Sequence, residues 1–112
     1  MDFDALLKEA SRYESRLRAH RRALHHIPEL GYEEHETHAY LMEHLRALAP
    51  DDLKTFARTG IRAVFRGDGT GRVIASRSDI DALPIQEATG RDYASCHSGK
   101  MHACGQDRKS VV

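Results

Sequence analysis

Two short runs near the end of the chain carry the residue types that hold metals. Arg77-Ser78-Asp79-Ile80-Asp81-Ala82-Leu83-Pro84 sets two acids at i, i+2 directly after an apolar stretch. In open α/β sheets, sites form beyond the carboxyl ends of strands, where such acids could hold or orient metal ligands. The same two acids could equally cap a turn. Lys100-Met101-His102-Ala103-Cys104-Gly105-Gln106-Asp107 brings imidazole, thiol and carboxylate within six residues, with a glycine that lets the backbone fold around an ion. A lone His-x-Cys is not a complete site, and a surface histidine beside a buried free cysteine is the plain alternative. Of the eight histidines, His20, His25 and His26 close a helix, where the dipole favours a cation. His35, His38 and His44 sit on the next helix in exposed or half-buried structural positions. Cys96 stands in a loop, and its C-x7-C spacing to Cys104 specifies no particular site.

The elements that must position these runs follow from periodicity. Leu6, Ala10, Tyr13, Leu17 and Leu24 fall on one face of a helix over 3–25, which Pro28 ends by pushing the preceding residue out of the α region. His26-Ile27-Pro28-Glu29-Leu30-Gly31 is a tight turn. A second helix spans 34–48 on a stripe of His38, Leu41, Leu45 and Leu48, stopped by Ala49-Pro50-Asp51-Asp52. Then the pattern changes to strands: 53–56, a turn at Arg58-Thr59-Gly60, and an alternating strand over 61–66. Gly67-Asp68-Gly69-Thr70-Gly71 reverses the chain into Val73-Ile74-Ala75-Ser76, whose continuous apolar character suits a strand covered on both faces. The expected class is α/β: two helices, then strands of a mixed sheet that is incomplete.

Composition narrows the function classes. The chain has 112 residues, 40% hydrophobic and 30% charged, with 17 basic and 17 acidic side chains and zero formal net charge. That size allows one small domain or a piece of a larger one, and the balance of charge argues against nucleic acid or an anionic membrane as the main partner. No apolar run approaches the roughly 18 residues of a membrane span. The acidic start Met1-Asp2-Phe3-Asp4 lacks the basic, apolar pattern of a secretory leader, and two cysteines make no disulfide framework. A cytoplasmic protein is expected.

Taken together, His26-Ile27-Pro28-Glu29-Leu30-Gly31, Arg58-Thr59-Gly60-Ile61, Arg77-Ser78-Asp79-Ile80-Asp81-Ala82-Leu83-Pro84 and Gly99-Lys100-Met101-His102-Ala103-Cys104-Gly105 resemble, in order and spacing, the metal-dependent N-acyl-amino-acid amidohydrolases. That family includes hippurate hydrolases, N-acetyldiaminopimelate deacetylases and auxin-conjugate hydrolases. The resemblance covers about residues 15–105. It implies that 1–105 is the N-terminal portion of a zinc-peptidase-like catalytic domain, with a lid or dimerisation domain absent here. It also implies a homo-oligomeric parent acting on small N-acyl amino acids. Two divalent ions of the Zn, Mn, Co or Ni class would polarise the amide carbonyl and activate a water. By the same resemblance Cys104 is a metal ligand, Asp79 is the acid that tunes the site, and Asp81 and His102 lie at its rim. The family continues His-Ala-Cys-Gly-His-Asp, with the second His a ligand; here Gln106 stands at that position. The glutamate pair and further histidines of the family have no counterpart in this chain.

The departure at Gln106 has a specific reading. A common short-read sequencing adapter, AGATCGGAAGAGCGTCGTGTAG, placed after the bases CA of a histidine codon, reads CAA GAT CGG AAG AGC GTC GTG TAG. This translates as Gln-Asp-Arg-Lys-Ser-Val-Val-stop, matching Gln106 to Val112 at every residue. The expectation is that 106–112 is a non-native tail and that the natural residue at 106 is His. Two other classes remain: a small metal-binding or redox module built on Cys96 and Cys104, and a non-catalytic truncated relative acting by association.

Overall fold

The computed structural model describes residues 1–105; Gln106 and the rest of the 106–112 tail lie outside the described residues. The chain opens with helix α1 (Phe3–Ser11), capped by the Asp2 carboxylate, which accepts the N–H groups of Asp4 and Ala5 at 3.1 Å each. The single helix expected over 3–25 is in fact two. At Arg12 and Tyr13 the N–H groups reach back three residues, to the carbonyls of Glu9 (3.2 Å) and Ala10 (3.0 Å), and helix α2 (Glu14–His26) starts afresh. No residue of α1 is buried, and Leu6 and Leu7 lie open to solvent. The apolar stripe therefore has no packing partner there to hold α1 and α2 on one axis. Only its last member, Leu24, enters the core.

Helix α2 ends just ahead of Pro28, as the proline demands. Helix α3 (His35–Ala47) begins without a side-chain cap of its own from Glu34. Its first N–H groups instead reach a carboxylate from the preceding turn. Glu29, only 6% exposed, accepts the N–H of Glu36 at 3.0 Å and of Thr37 at 2.7 Å. Burial alone would push the Glu29 carboxyl up. The N–H groups of Thr37 and Glu36 outweigh it, and the group lies below its ordinary value. The helix closes on Ala49, which takes a left-handed φ of 52° ahead of Pro50.

Strands β1 (Asp52–Phe56) and β2 (Gly60–Val64) form an antiparallel pair in the register Asp52↔Val64 to Phe56↔Gly60. Ala57 and Arg58, both with positive φ, carry the reversal. Gly60 is required by crowding: a Cβ there would stand 2.9 Å from the Phe56 carbonyl oxygen. The hairpin is bolted to α3 through buried Thr59. Its hydroxyl donates to Glu34 Oε2 at 2.5 Å, and its carbonyl accepts from His38 Nδ1 at 2.9 Å. His38 is thus the half-buried structural residue expected of it.

One expected strand does not form. Val73-Ile74-Ala75-Ser76 is irregular, with Val73 and Ile74 96% and 91% exposed, and the glycine-rich run before it leads into no returning strand. A strand is held by neighbours in a sheet, and among the described residues none lies alongside this one.

Glu29 gives a testable consequence. Glu29→Ala strands the buried Thr37 N–H and the part-buried Glu36 N–H, so it is expected to destabilise the fold by about 1–3 kcal/mol. Hydrogen exchange at Glu36 and Thr37 should accelerate. Because the folded carboxyl is depressed, its contribution is fully present above the ordinary value of 4.5 and is lost as pH falls through the lower folded value. Thermal melts in acid should therefore show a loss of stability in wild type that Glu29→Ala lacks.

Candidate functional site

Residues 77–105 form no helix or strand element, so side chains and a few backbone bonds must hold them in place. Most of that hold comes from the end of α2 and the turn that follows it. His25 Nε2 meets Glu87 Oε1 at 2.8 Å, with both side chains nearly out of solvent. His26 Nδ1 donates to the Ala94 carbonyl at 2.7 Å, and the His26 carbonyl accepts the N–H of Cys96 at 2.9 Å. Pro28 and Glu29 contribute their carbonyls, to His97 Nδ1 at 2.8 Å and to the Ala82 N–H at 2.7 Å. The second ring nitrogen of His97 lies 3.0 Å from the Glu36 carboxylate on α3. Glu87 also collects the Thr89 hydroxyl and the Ser95 N–H. The Thr89 hydroxyl first, with the Ser95 N–H and His25, holds its carboxyl below the usual carboxylate range despite desolvation.

A second device joins the two chemistry-bearing runs to each other. Leu83 and Met101 exchange both backbone hydrogen bonds at 3.0 Å as an isolated antiparallel bridge. Asp79–Leu83 and Met101–Cys104 are thereby neighbours, although some twenty residues separate them in sequence. Ala82 and His102, one from each run, are both buried at this junction. Arg77, Ser78 and His102 line the end of an apolar groove whose walls include Leu24 and Leu45 from the helices and Ile61 from β2.

The individual residues fare differently. Asp79 is half-buried and pairs with Arg77 at 2.7 Å. Asp81 is exposed. His102 is a buried ring, 6.4 Å from that of His25, rather than a surface histidine. Cys104 is an exposed thiol rather than a buried one, as is Cys96. Gln106 lies outside the described residues. Among the described residues, no three His, Cys, Asp or Glu side chains converge as a metal site. A self-contained module on Cys96 and Cys104 thus lacks its remaining donors there. Spacing did not reveal Glu29, Glu87 and His97 as the residues that hold the loops. The partners that tie them to other elements are 7 to 69 residues away, and only the Pro-Glu-Leu-Gly run before a helix hinted at one of them.

Comparison with known proteins accounts for this arrangement. The chain is 49% identical, over 96 residues, to the N-acetyldiaminopimelate deacetylase of Streptococcus gordonii, a match over 82% of this chain and 25% of that protein. Among solved structures it is similar to the Bacillus subtilis YxeP protein, a dinuclear metal-binding peptidase of the M20 family (TM-score 0.79, 40% identity, 90% of this chain and 29% of that one). The chain belongs to this metal-dependent amidohydrolase family. A protein of methicillin-resistant Staphylococcus aureus assigned as an aminohydrolase also superimposes, with TM-score 0.84, 36% identity, and coverage of 95% of this chain and 28% of that one. No family model matches. The chain spans about a quarter of the length of the curated relative. The hydrogen-bonded loops of residues 77–105 thus lie within the part of the amidohydrolase fold that is present. No helix among the described residues is long and apolar enough to cross a membrane.

The Glu87 cluster is where this scaffold is most exposed to mutation. Glu87→Ala leaves a half-buried imidazole, a hydroxyl and an N–H without their acceptor. The expected cost is about 1–3 kcal/mol in denaturant unfolding, with faster hydrogen exchange at Ser95. Unchanged exchange at Ser95 would show that the loop is held some other way.

Proposed function

We propose that this chain supplies the N-terminal part of the catalytic domain of a metal-dependent amidohydrolase that hydrolyses the amide bond of an N-acyl amino acid. The observation that carries the reading is the junction of the Asp79–Leu83 and Met101–Cys104 runs across the Leu83–Met101 bridge. The 49% identity to an N-acetyldiaminopimelate deacetylase supports it and makes N-acetyldiaminopimelate the first substrate to test. In the whole protein, two divalent ions would supply Lewis-acid polarisation of the carbonyl and an activated water. The described residues by themselves do not fit such a pair. Cys104 offers one exposed thiol, Asp79 is engaged with Arg77, and no third donor converges.

What these residues do is therefore positional. The bridge holds the Cys104 loop against the Asp79 loop, and the α2–α3 turn holds both against the helices. Cys104 is the soft donor offered to one ion, and Asp79, paired with Arg77, orients the neighbouring ligands. Asp81 and His102 form the rim. The natural residue at 106 is a histidine and a second donor, and 106–112 is adapter-derived. The parent works in the cytoplasm as a homo-oligomer.

Three measurements bear on this reading. The 112-residue chain should show no metal-dependent turnover of N-acetyl or N-benzoyl amino acids, and measurable turnover would overturn the assignment of the missing ligands. In the full-length protein, Cys104→Ser should lower bound metal and activity together with little change in the fold, since a neutral hydroxyl is a poor substitute for thiolate. Genomic sequence past codon 105 should encode His at 106; a native gene encoding Gln106 to Val112 and then stopping would refute the adapter origin.

A further inference from the structure

The chain leading into Met101 and Cys104 turns over at residues 97–100, and two kinds of contact hold that turn. On one side is an amide that does not titrate. Gln86 Oε1 accepts the Gly99 N–H at 2.7 Å and the Ser98 hydroxyl at 3.2 Å. On the other side is the His97 ring. Its Nδ1 lies 2.8 Å from the Pro28 carbonyl oxygen and its Nε2 3.0 Å from Glu36 Oε2. A carbonyl and a carboxylate can only accept. A neutral imidazole has one N–H, so it serves one of these partners and turns a lone pair on the other. Only the imidazolium donates to both. Other histidines in the fold do not meet this demand. His25 needs a single N–H, for Glu87. His38 gives its Nδ1–H to the Thr59 carbonyl, while its Nε2 faces the Thr55 hydroxyl at 3.3 Å, which can donate.

We propose that His97 is a protonation-dependent positioning residue: as an imidazolium it clamps the Cys104 loop to both the α2–α3 turn and α3, and as a neutral ring it releases α3. The path from the ring to the thiol is short. The His97 carbonyl accepts the Ser95 hydroxyl at 2.8 Å and the Lys100 N–H at 3.2 Å. The next residue, Met101, exchanges backbone bonds with Leu83, and its carbonyl accepts the Ala103 N–H at 3.0 Å. The acceptor on the far side is fixed as well, because the Glu36 N–H is held by Glu29. A cavity of about 740 Å³ opens beside the ring. Glu29 and Glu33 from the turn, His35 from α3, Arg58 from the hairpin and Lys100 from the loop line it. With Glu36, that sets three carboxylates against two fixed cations around the imidazolium. The sign is definite: the clamp is complete when His97 is protonated and loses its Glu36 arm as pH rises. Its size is modest, since the His97 and Glu36 side chains are 28% and 58% exposed. The bearing on catalysis rests on the amidohydrolase reading, in which the loop presents Cys104; the clamp itself does not.

The test is amide hydrogen exchange of the 112-residue chain between pH 5.5 and 8, the range in which imidazoles change charge. Rates are corrected for intrinsic exchange, and ring nitrogen shifts of His97 are recorded in parallel. Protection at Lys100 and Met101 should fall about two- to fivefold as pH rises, the worth of a partly exposed ion pair. Protection at Met42 in α3 should not follow it. The falling protection should track loss of the Nε2 proton of His97, with Nδ1–H retained for Pro28. Two variants separate the clamp from general stability. Glu36→Gln puts an amide opposite Nε2, which can accept from the charged ring or donate to the neutral one, so protection should no longer depend on pH. His97→Asn keeps a donor near the Nδ1 position and cannot reach Glu36, so protection should stay at the high-pH level throughout. A flat wild-type profile, a fall shared equally by Met42, or wild-type pH dependence in either variant would overturn the clamp. Loss of the proton from Nδ1 instead would overturn the assignment of the released arm to Glu36. No readout uses turnover or bound metal, so failure here leaves the amidohydrolase reading standing.

Discussion

A buried carboxylate at the start of α3 is the constraint on which the rest of the structure depends. Glu29 could not remain charged and nearly out of solvent without compensation, since burying an unpaired charge costs many kcal/mol. The N–H groups of Glu36 and Thr37 provide that compensation, and in return the helix gains the anion its N-terminus favours. The same residue uses its backbone carbonyl for Ala82. One position thus ties α3 to the segment that carries Asp79 and Asp81. His25, His26 and Pro28 beside it hold Glu87, Ala94, Cys96 and His97 in the same way. The His26-to-Gly31 motif is therefore better understood as a polar hub for distant loops than as a turn that merely joins two helices.

This arrangement explains how a segment without secondary structure is ordered. Residues 77–105 have no ladder of their own apart from the Leu83–Met101 bridge, and each buried backbone or side-chain group in them needs a partner. The partners come from α2, from the α2–α3 turn and from within the loops. A site on such loops tolerates variation in the groups it presents, because the groups that hold it are elsewhere. Cys104 illustrates the division. It is exposed and free at the surface of a loop whose neighbours, Met101 and His102, are anchored or buried.

The apolar surface shows the opposite condition. Val73, Ile74, Leu6 and Leu7 are exposed, and a groove runs between the helices and β2 down to His102. These surfaces have the composition of interior elements without the neighbours that would make them interior. The curated relative is more than three times the length of this chain, and exposed apolar surface of this kind is where contact with further structure is commonly made.

The sequence by itself determined a good deal of this. It marked the helix stop at Pro28, the helix on the Leu41 and Leu45 stripe, the hairpin about Thr59, and the two runs that bear the chemistry. All of these are local: a proline's effect on its predecessor, a 3.6-residue period and the residue types of a motif act within a few positions of the chain. The tertiary structure alone decided the rest. Whether Val73–Ser76 is a strand depends on neighbours that no pattern within it can provide. Whether α1 and α2 share an axis depends on a surface for Leu6 to pack against. Glu29, Glu87 and His97 matter because of partners far along the chain, and the meeting of Leu83 with Met101 is a long-range pairing. Burial, hydrogen-bond satisfaction and strand pairing are properties of pairs brought together by folding, so they cannot be read from either member of the pair alone.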